Sequence, residues 1–148
     1  MGELQASDAL LLGRKTYEGF AAAWPSMTDD AGFADRMNSM PKYVVSSTLD
    51  HCDWSGSQLL TGDVAEKVRT LNNEPGRDLL LSGSAQLFNM LRQKDLIDLY
   101  RLMVHPILLG KGRQLFAEGT DEKALTLTRM QTFSSGIVIL EYEPARRP

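Results

Sequence analysis

The feature that most constrains this chain is an arrangement that occurs twice: a short apolar run, then glycine or serine, then an amphipathic stretch. The first copy is Ala9-Leu10-Leu11-Leu12, which stops at Gly13 and leads into Lys15–Trp24, where Pro25 ends any helix. The second is Leu79-Leu80-Leu81, followed by Ser82-Gly83-Ser84 and a segment whose apolar stripe is Leu87, Phe88 and Leu91. A strand that is apolar throughout has no face to offer water, so it must be covered on both sides. Strand alternating with helix does this by parallel pairing, which predicts an α/β fold.

The rest of the chain fills in that frame. Lys42-Tyr43-Val44-Val45-Ser46 reads as a strand by its β-branched and aromatic content, with Gln58-Leu59-Leu60 a weaker one. Asp63 followed by Glu66 makes a capping pattern for a helix to about Leu71, and Phe33–Asn38 suits one helical turn. Leu99–Leu109 reads as a long strand. Leu125–Thr132 and Ile137–Tyr142 form a closing pair around Ser134-Ser135-Gly136. The final third is all strand, so a single mixed, mostly parallel sheet with an antiparallel C-terminal hairpin is expected. No linker divides the 148 residues, and one domain over 1–148 is expected.

Charge and composition exclude several classes. A net charge of -3 leaves no basic face for nucleic acid. No apolar run approaches ~18 residues and no signal-peptide pattern is present, so neither a membrane span nor secretion is expected. Cys52 is the only cysteine, which forbids an intrachain disulfide and fits a reducing compartment, with the cytoplasm as the default. His51 beside it does not make a metal site, because zinc wants about four ligands. Asp29-Asp30 reads as solvated loop carboxylates, His105 as a structural residue in a strand, and Gly110-Lys111-Gly112-Arg113 as a turn.

The chemistry lies at the strand-to-helix junctions. Gly13 permits a tight turn, and the helix start after it offers unpaired N–H groups to an anion. Arg14 and Lys15 add positive charge there, and Thr16 can cap the helix or donate to a phosphate oxygen. The same logic applies to Ser82, Gly83, Ser84, Ala85, Gln86 and Leu87. Ser46, Ser47 and Thr48, just past a strand, cluster hydroxyls that suit either a phosphate or an ordinary polar turn. Neither junction is a complete phosphate-loop motif, but ligands of open α/β sheets gather at strand carboxyl ends.

Taken in order, these stretches carry a resemblance. Leu11-Leu12-Gly13-Arg14-Lys15-Thr16-Tyr17-Glu18 resembles the second-strand motif of dihydrofolate reductases, and Tyr43-Val44-Val45-Ser46-Ser47 resembles the strand that follows it. Leu79–Phe88, Leu96-Ile97-Asp98 and Val104-His105-Pro106-Ile107-Leu108-Leu109-Gly110-Lys111-Gly112 narrow the match. They are similar to the C-terminal reductase domain of the bifunctional riboflavin-biosynthesis deaminase-reductase and its stand-alone bacterial relatives. The resemblance spans residues 4–142.

It implies a dihydrofolate-reductase-like three-layer fold and a reductase using NADPH on a small heterocyclic or ribosyl-linked substrate. Gly13 to Thr16 would hold the pyrophosphate and adenosine side, Ser46 and Ser47 would lie near the 2′-phosphate, and Ser82 to Leu87 would wrap the other side of the pyrophosphate. Ser82-Gly83 stands where folate reducers carry Gly-Gly, which points to the riboflavin-type branch. Phe20 and Trp24 would face the substrate, or serve packing alone. A homodimer is implied as well. Family members begin with a strand, loop and helix of ~30 residues before Asp8, so the first strand is expected to be absent here, with Met1–Ser7 the tail of the helix. The acidic residue of folate reducers would sit in that segment, and no catalytic acid is assigned. The competing expectation is a non-enzymatic nucleotide-binding or structural domain.

Overall fold

The computed structural model describes residues 7–75, 78–81, 85–112, 114–116 and 122–145. The chain divides into two units, Met1–Met90 and Leu91–Pro148. In the first, β1 (Ser7–Gly13) leads into α1 (Arg14–Ala23) and a 3-10 turn (Trp24–Ser26). Then come α2 (Phe33–Ser39), β2 (Lys42–Val45), β3 (Ser57–Leu60), α3 (Val64–Asn73), β4 (Asp78–Leu81) and α4 (Ala85–Gln93), within which the division falls. The second unit holds β5 (Tyr100–Val104), β6 (Leu125–Thr132) and β7 (Val138–Pro144).

In the first unit the strands form a sheet in the order β3-β2-β1-β4, parallel throughout. β1 is interior and buried on both faces, with Leu10, Leu11 and Leu12 at 2% exposure or less. That is the covering its unbroken apolar run demands. Leu10, Leu12 and Val44 join Tyr17, Met37, Met40 and Trp54 in the core, with Phe20 and Trp24 packed against it. α3 starts as its sequence predicts, since the Asp63 carboxylate accepts from the Glu66 amide at 3.1 Å. α2 extends to two turns because Asp29 caps it, accepting from the Phe33 and Ala34 amides at 3.1 and 2.8 Å.

In the second unit β7 lies between β5 and β6, antiparallel to both. Its hairpin turns at Ser134–Gly136, where Gly136 takes φ +90 and the Phe133 amide bonds the Ile137 carbonyl at 3.0 Å.

The structure corrects several expectations. Among the described residues the strands make two separate sheets, parallel and antiparallel, instead of one mixed sheet. The long strand expected over Leu99–Leu109 stops at Val104. Pro106 has no amide to give a ladder, and the Ile107 amide turns back to the His105 carbonyl at 2.8 Å. His105 is therefore an exposed residue after the strand and not a residue within it. Ser7 belongs to β1 and not to a helix tail, while residues 1–6 lie outside the described residues.

Candidate functional site

Parallel pairing sets the junctions side by side. In register, Gly13 at the end of β1 sits opposite Val45 at the end of β2, and Leu11 sits opposite Leu81 at the end of β4. The start of α1 and the Ser46–Thr48 turn therefore leave the same carboxyl edge of one sheet, at which β4 also ends. Ser82, Gly83 and Ser84 lie outside the described residues. Of the residues after them, Ala85 opens α4, Gln86 is exposed and Leu87 is buried, so Leu87 would meet a ligand through its backbone if at all.

At the first junction α1 begins at Arg14, one residue earlier than the sequence suggests. Its N-cap is Gly13, with φ -76 and ψ 163 and no side-chain cap. Thr16 is thus inside the first turn and not the cap, which leaves first-turn amides uncapped by any side chain. Arg14 donates to both oxygens of Glu18, at 3.1 and 3.2 Å. This i,i+4 pair is exposed and weak, so Arg14 can exchange Glu18 for another anion at little cost. Lys15 is exposed beside it. The second junction is more committed. Ser46 is buried, and its hydroxyl accepts from the Thr48 and Leu49 amides, both at 3.1 Å, which fixes the turn. Ser47 and Thr48 are exposed residues, and the Thr48 hydroxyl lies 3.3 Å from that of Ser46, so Ser46 and Thr48 together hold the turn.

A cavity of about 620 Å³ opens beside this edge, lined by Tyr17, Glu18 and Ala21 of α1 and by Thr48, His51 and Trp54. Thr48 belongs both to the cavity and to the junction. Phe20 and Trp24 do not line it. Trp24 packs on Phe33 with ring centroids 5.1 Å apart, and its carbonyl accepts from Asn38 at 2.9 Å. His51 is paired with Asp53 at 3.4 Å, and both are exposed. Burial raises the Cys52 thiol, a hydrogen bond with Tyr17 opposes that, and Asp53 adds to it. No group of three or more His, Cys, Asp or Glu among the described residues could hold a metal. Nor is any described helix long and apolar enough to cross a membrane.

Residues 1–139 match the family model described as the RibD C-terminal domain. The chain belongs to the RibD C-terminal domain family. This is the dihydrofolate-reductase-like family expected from the motifs. A Bacillus subtilis protein, YyaP, which is uncharacterized, is 31% identical over 142 residues, covering 94% of this chain and 75% of that protein. The fold agrees with a provisionally named riboflavin biosynthesis protein from Shewanella sp. PV-4, at TM-score 0.78 and 21% identity, over 98% of this chain and 78% of that one. It also agrees with the Thermotoga maritima diaminohydroxyphosphoribosylaminopyrimidine deaminase/5-amino-6-(5-phosphoribosylamino)uracil reductase, at TM-score 0.63 and 15% identity. That match covers 97% of this chain and 47% of the enzyme, so the RibD C-terminal domain here spans about half the length of the two-function protein.

Sequence reasoning missed the cavity and its Trp54 wall. The signal available was Tyr17, an aromatic four residues after Gly13 that points back to the sheet. Nothing in the sequence says that the 48–54 loop folds over α1.

Proposed function

We propose that this protein is an NADPH-dependent reductase, transferring hydride to a small heterocyclic or ribosyl-linked substrate such as a phosphoribosylamino-uracil or a pterin. The observation that carries the reading is the alignment of the β1–α1 junction, the Ser46–Thr48 turn after β2 and the end of β4 on one carboxyl edge, since parallel sheets of this kind bind ligands there. An extended anionic cofactor fits such an edge: the uncapped start of α1 with Arg14 and Lys15 suits a phosphate, and the exposed Ser47 and Thr48 suit a second one. The family and the Thermotoga neighbour's reductase name favour the same chemistry. When bound, the nicotinamide would supply the hydride. The protein's own residues would orient it and exclude water.

Ser46 would act by fixing the turn that presents Ser47 and Thr48. Gly13, Arg14, Lys15, Thr16, Ala85, Gln86 and Leu87 would hold the pyrophosphate and adenosine parts, together with Ser82, Gly83 and Ser84. Phe20 and Trp24 serve packing in this reading, and no residue is assigned as proton donor. Measuring NADPH oxidation with pterin and phosphoribosylamino-pyrimidinone substrates tests the proposal. Turnover of either supports it, whereas tight NADP(H) binding without turnover favours a nucleotide-binding domain that does no chemistry.

A homodimer belongs to the same proposal. It is supported by the apolar residues that the second unit exposes, among them Met103, Val104, Ile107, Leu108 and Met130. Sedimentation showing a monomer at micromolar concentration would remove it.

A further inference from the structure

β6 is the longest described strand, at eight residues, and it lies at the outside of the antiparallel sheet. Among the described residues no strand pairs with its outer side. All of it beyond Leu125 is exposed, with Leu127 at 50% and Met130 at 60%. An open strand edge is a row of free amides and carbonyls ready to pair with another chain. Folded proteins commonly blunt such an edge with lysine, acidic side chains or proline. The sequence LTLTRMQT carries none of these. β5, at the other side of the sheet, has only five residues and starts at the buried Tyr100, so β6 is the larger open template.

The register of β6 on β7 sorts its side chains by face. Leu125, Leu127, Met130 and Thr132 stand opposite Pro144, Tyr142, Leu140 and Val138, alternate residues of β7, and so share one face. Thr126, Arg129 and Gln131 stand opposite Glu143, Glu141 and Ile139 on the other. Thr128 is the extra residue of a bulge between Leu127 and Arg129, and its hydroxyl donates to the Glu141 carbonyl at 3.2 Å. The bulge moves the alternation on by one residue. The facing pattern is then the same from either end of the strand, about the point between Thr128 and Arg129. Leu125 mirrors Thr132, Thr126 mirrors Gln131 and Leu127 mirrors Met130, each pair on one face. A strand without the bulge would put the members of every such pair on opposite faces.

This symmetry is what a two-fold axis normal to the sheet requires, because the strand then meets its own copy running antiparallel. We propose that the partner of this edge is a second copy of the chain, with the two β6 strands pairing about an axis between Thr128 and Arg129, so that two three-stranded sheets become one. Leu127 of each copy lies opposite Met130 of the other, which carries one apolar face across the axis. On the other face Arg129 lies opposite Thr128 of the second copy and not opposite its like. Each Arg129 keeps its own Glu141 at 3.9 Å. The inference rests on the homodimer reading above and adds the surface that makes the dimer.

Sedimentation velocity over a range of micromolar concentrations tests it on the unaltered chain and two variants. Met130→Lys sets an ammonium against Leu127 of the second copy and weakens the dimer at least about tenfold. Met103→Lys, at an apolar site of similar exposure on β5, leaves the dimer unchanged. Both side chains are more than half exposed, so both variants fold. A cross-link reads the register. In a Cys52→Ser background, Leu127→Cys together with Met130→Cys gives a disulfide-linked dimer under copper phenanthroline, because opposite Cα atoms lie about 4.5–5.5 Å apart. Leu127→Cys alone gives none, since its own copy lies about 10 Å further along the strand. A monomer throughout would remove the homodimer and this edge together. A dimer that tolerates Met130→Lys, that the paired cysteines leave unlinked, or that Leu127→Cys alone links as well, would overturn the edge and leave the homodimer standing.

Discussion

β1 and β6 both carry large apolar side chains, yet the two units use them differently. Leu10, Leu11 and Leu12 in β1 are closed off on both sides, whereas Leu127 and Met130 in β6 are 50% and 60% exposed. The parallel sheet is held by packing, because its strands sit beneath helices that cover them. The antiparallel sheet depends more on its backbone ladder and on charges across one face. There Glu141 of β7 takes Arg101 of β5 at 2.9 Å and approaches Arg129 of β6 at 3.9 Å. Sites that need fixed geometry belong on the first kind of scaffold, and the junctions lie there.

The contrast can be broken most forcefully in β1. Leu12→Ala should cost about 2–5 kcal/mol in chemical denaturation, because it leaves a cavity in a closed core. A cost under about 1 kcal/mol would mean the parallel unit is not packed as described. Leu127→Ala, at a half-exposed site, should cost well under about 1 kcal/mol, and equality of the two would erase the distinction.

Lys42, buried at the start of β2, gives the next largest effect. Desolvation lowers its ammonium from 10.5 to about 8 in the folded chain, so the unfolded chain binds more protons between the two. Stability should therefore rise with pH from about 8 to 10.5, by up to about 3 kcal/mol. Denaturation of the unaltered chain beside Lys42→Met at several pH values measures this, and the rise should be missing from the variant.

A smaller effect separates the site from its scaffold. Arg14→Ala should weaken NADPH about tenfold through loss of one charge-assisted contact, while stability changes by less than about 0.5 kcal/mol because the Arg14–Glu18 pair is exposed. Glu141→Gln in the other unit should do the reverse: about 1 kcal/mol of stability lost from the Arg101 pairing, and NADPH affinity unchanged.

Local rules read well wherever the cause is local. The apolar run of β1, the Asp63 cap and the Ser134–Gly136 hairpin turn all follow from residues within a few positions of one another. What escaped depends on contacts distant in sequence. Lys42 reads as the ordinary first residue of a strand, and only the approach of Trp54 and Ser55, 12 and 13 residues on, makes it a buried base. Asp29 looks like a free carboxylate until α2 folds onto it. Trp24 sits one face-turn beyond the phosphate motif, but Phe33 and Asn38 claim it for packing. The end of β5 at Val104 is legible in Pro106, whose missing amide stops the ladder although apolar residues continue after it.

The central claim is that three strand ends on one carboxyl edge make a site for a phosphorylated dinucleotide. Calorimetric titration of the folded chain with NADPH, and with NADH beside it, tests this most directly. The account expects one saturable site per chain, with NADPH bound at least about tenfold more tightly than NADH through its extra phosphate. A folded chain that takes up neither cofactor, or binds both equally, would contradict it.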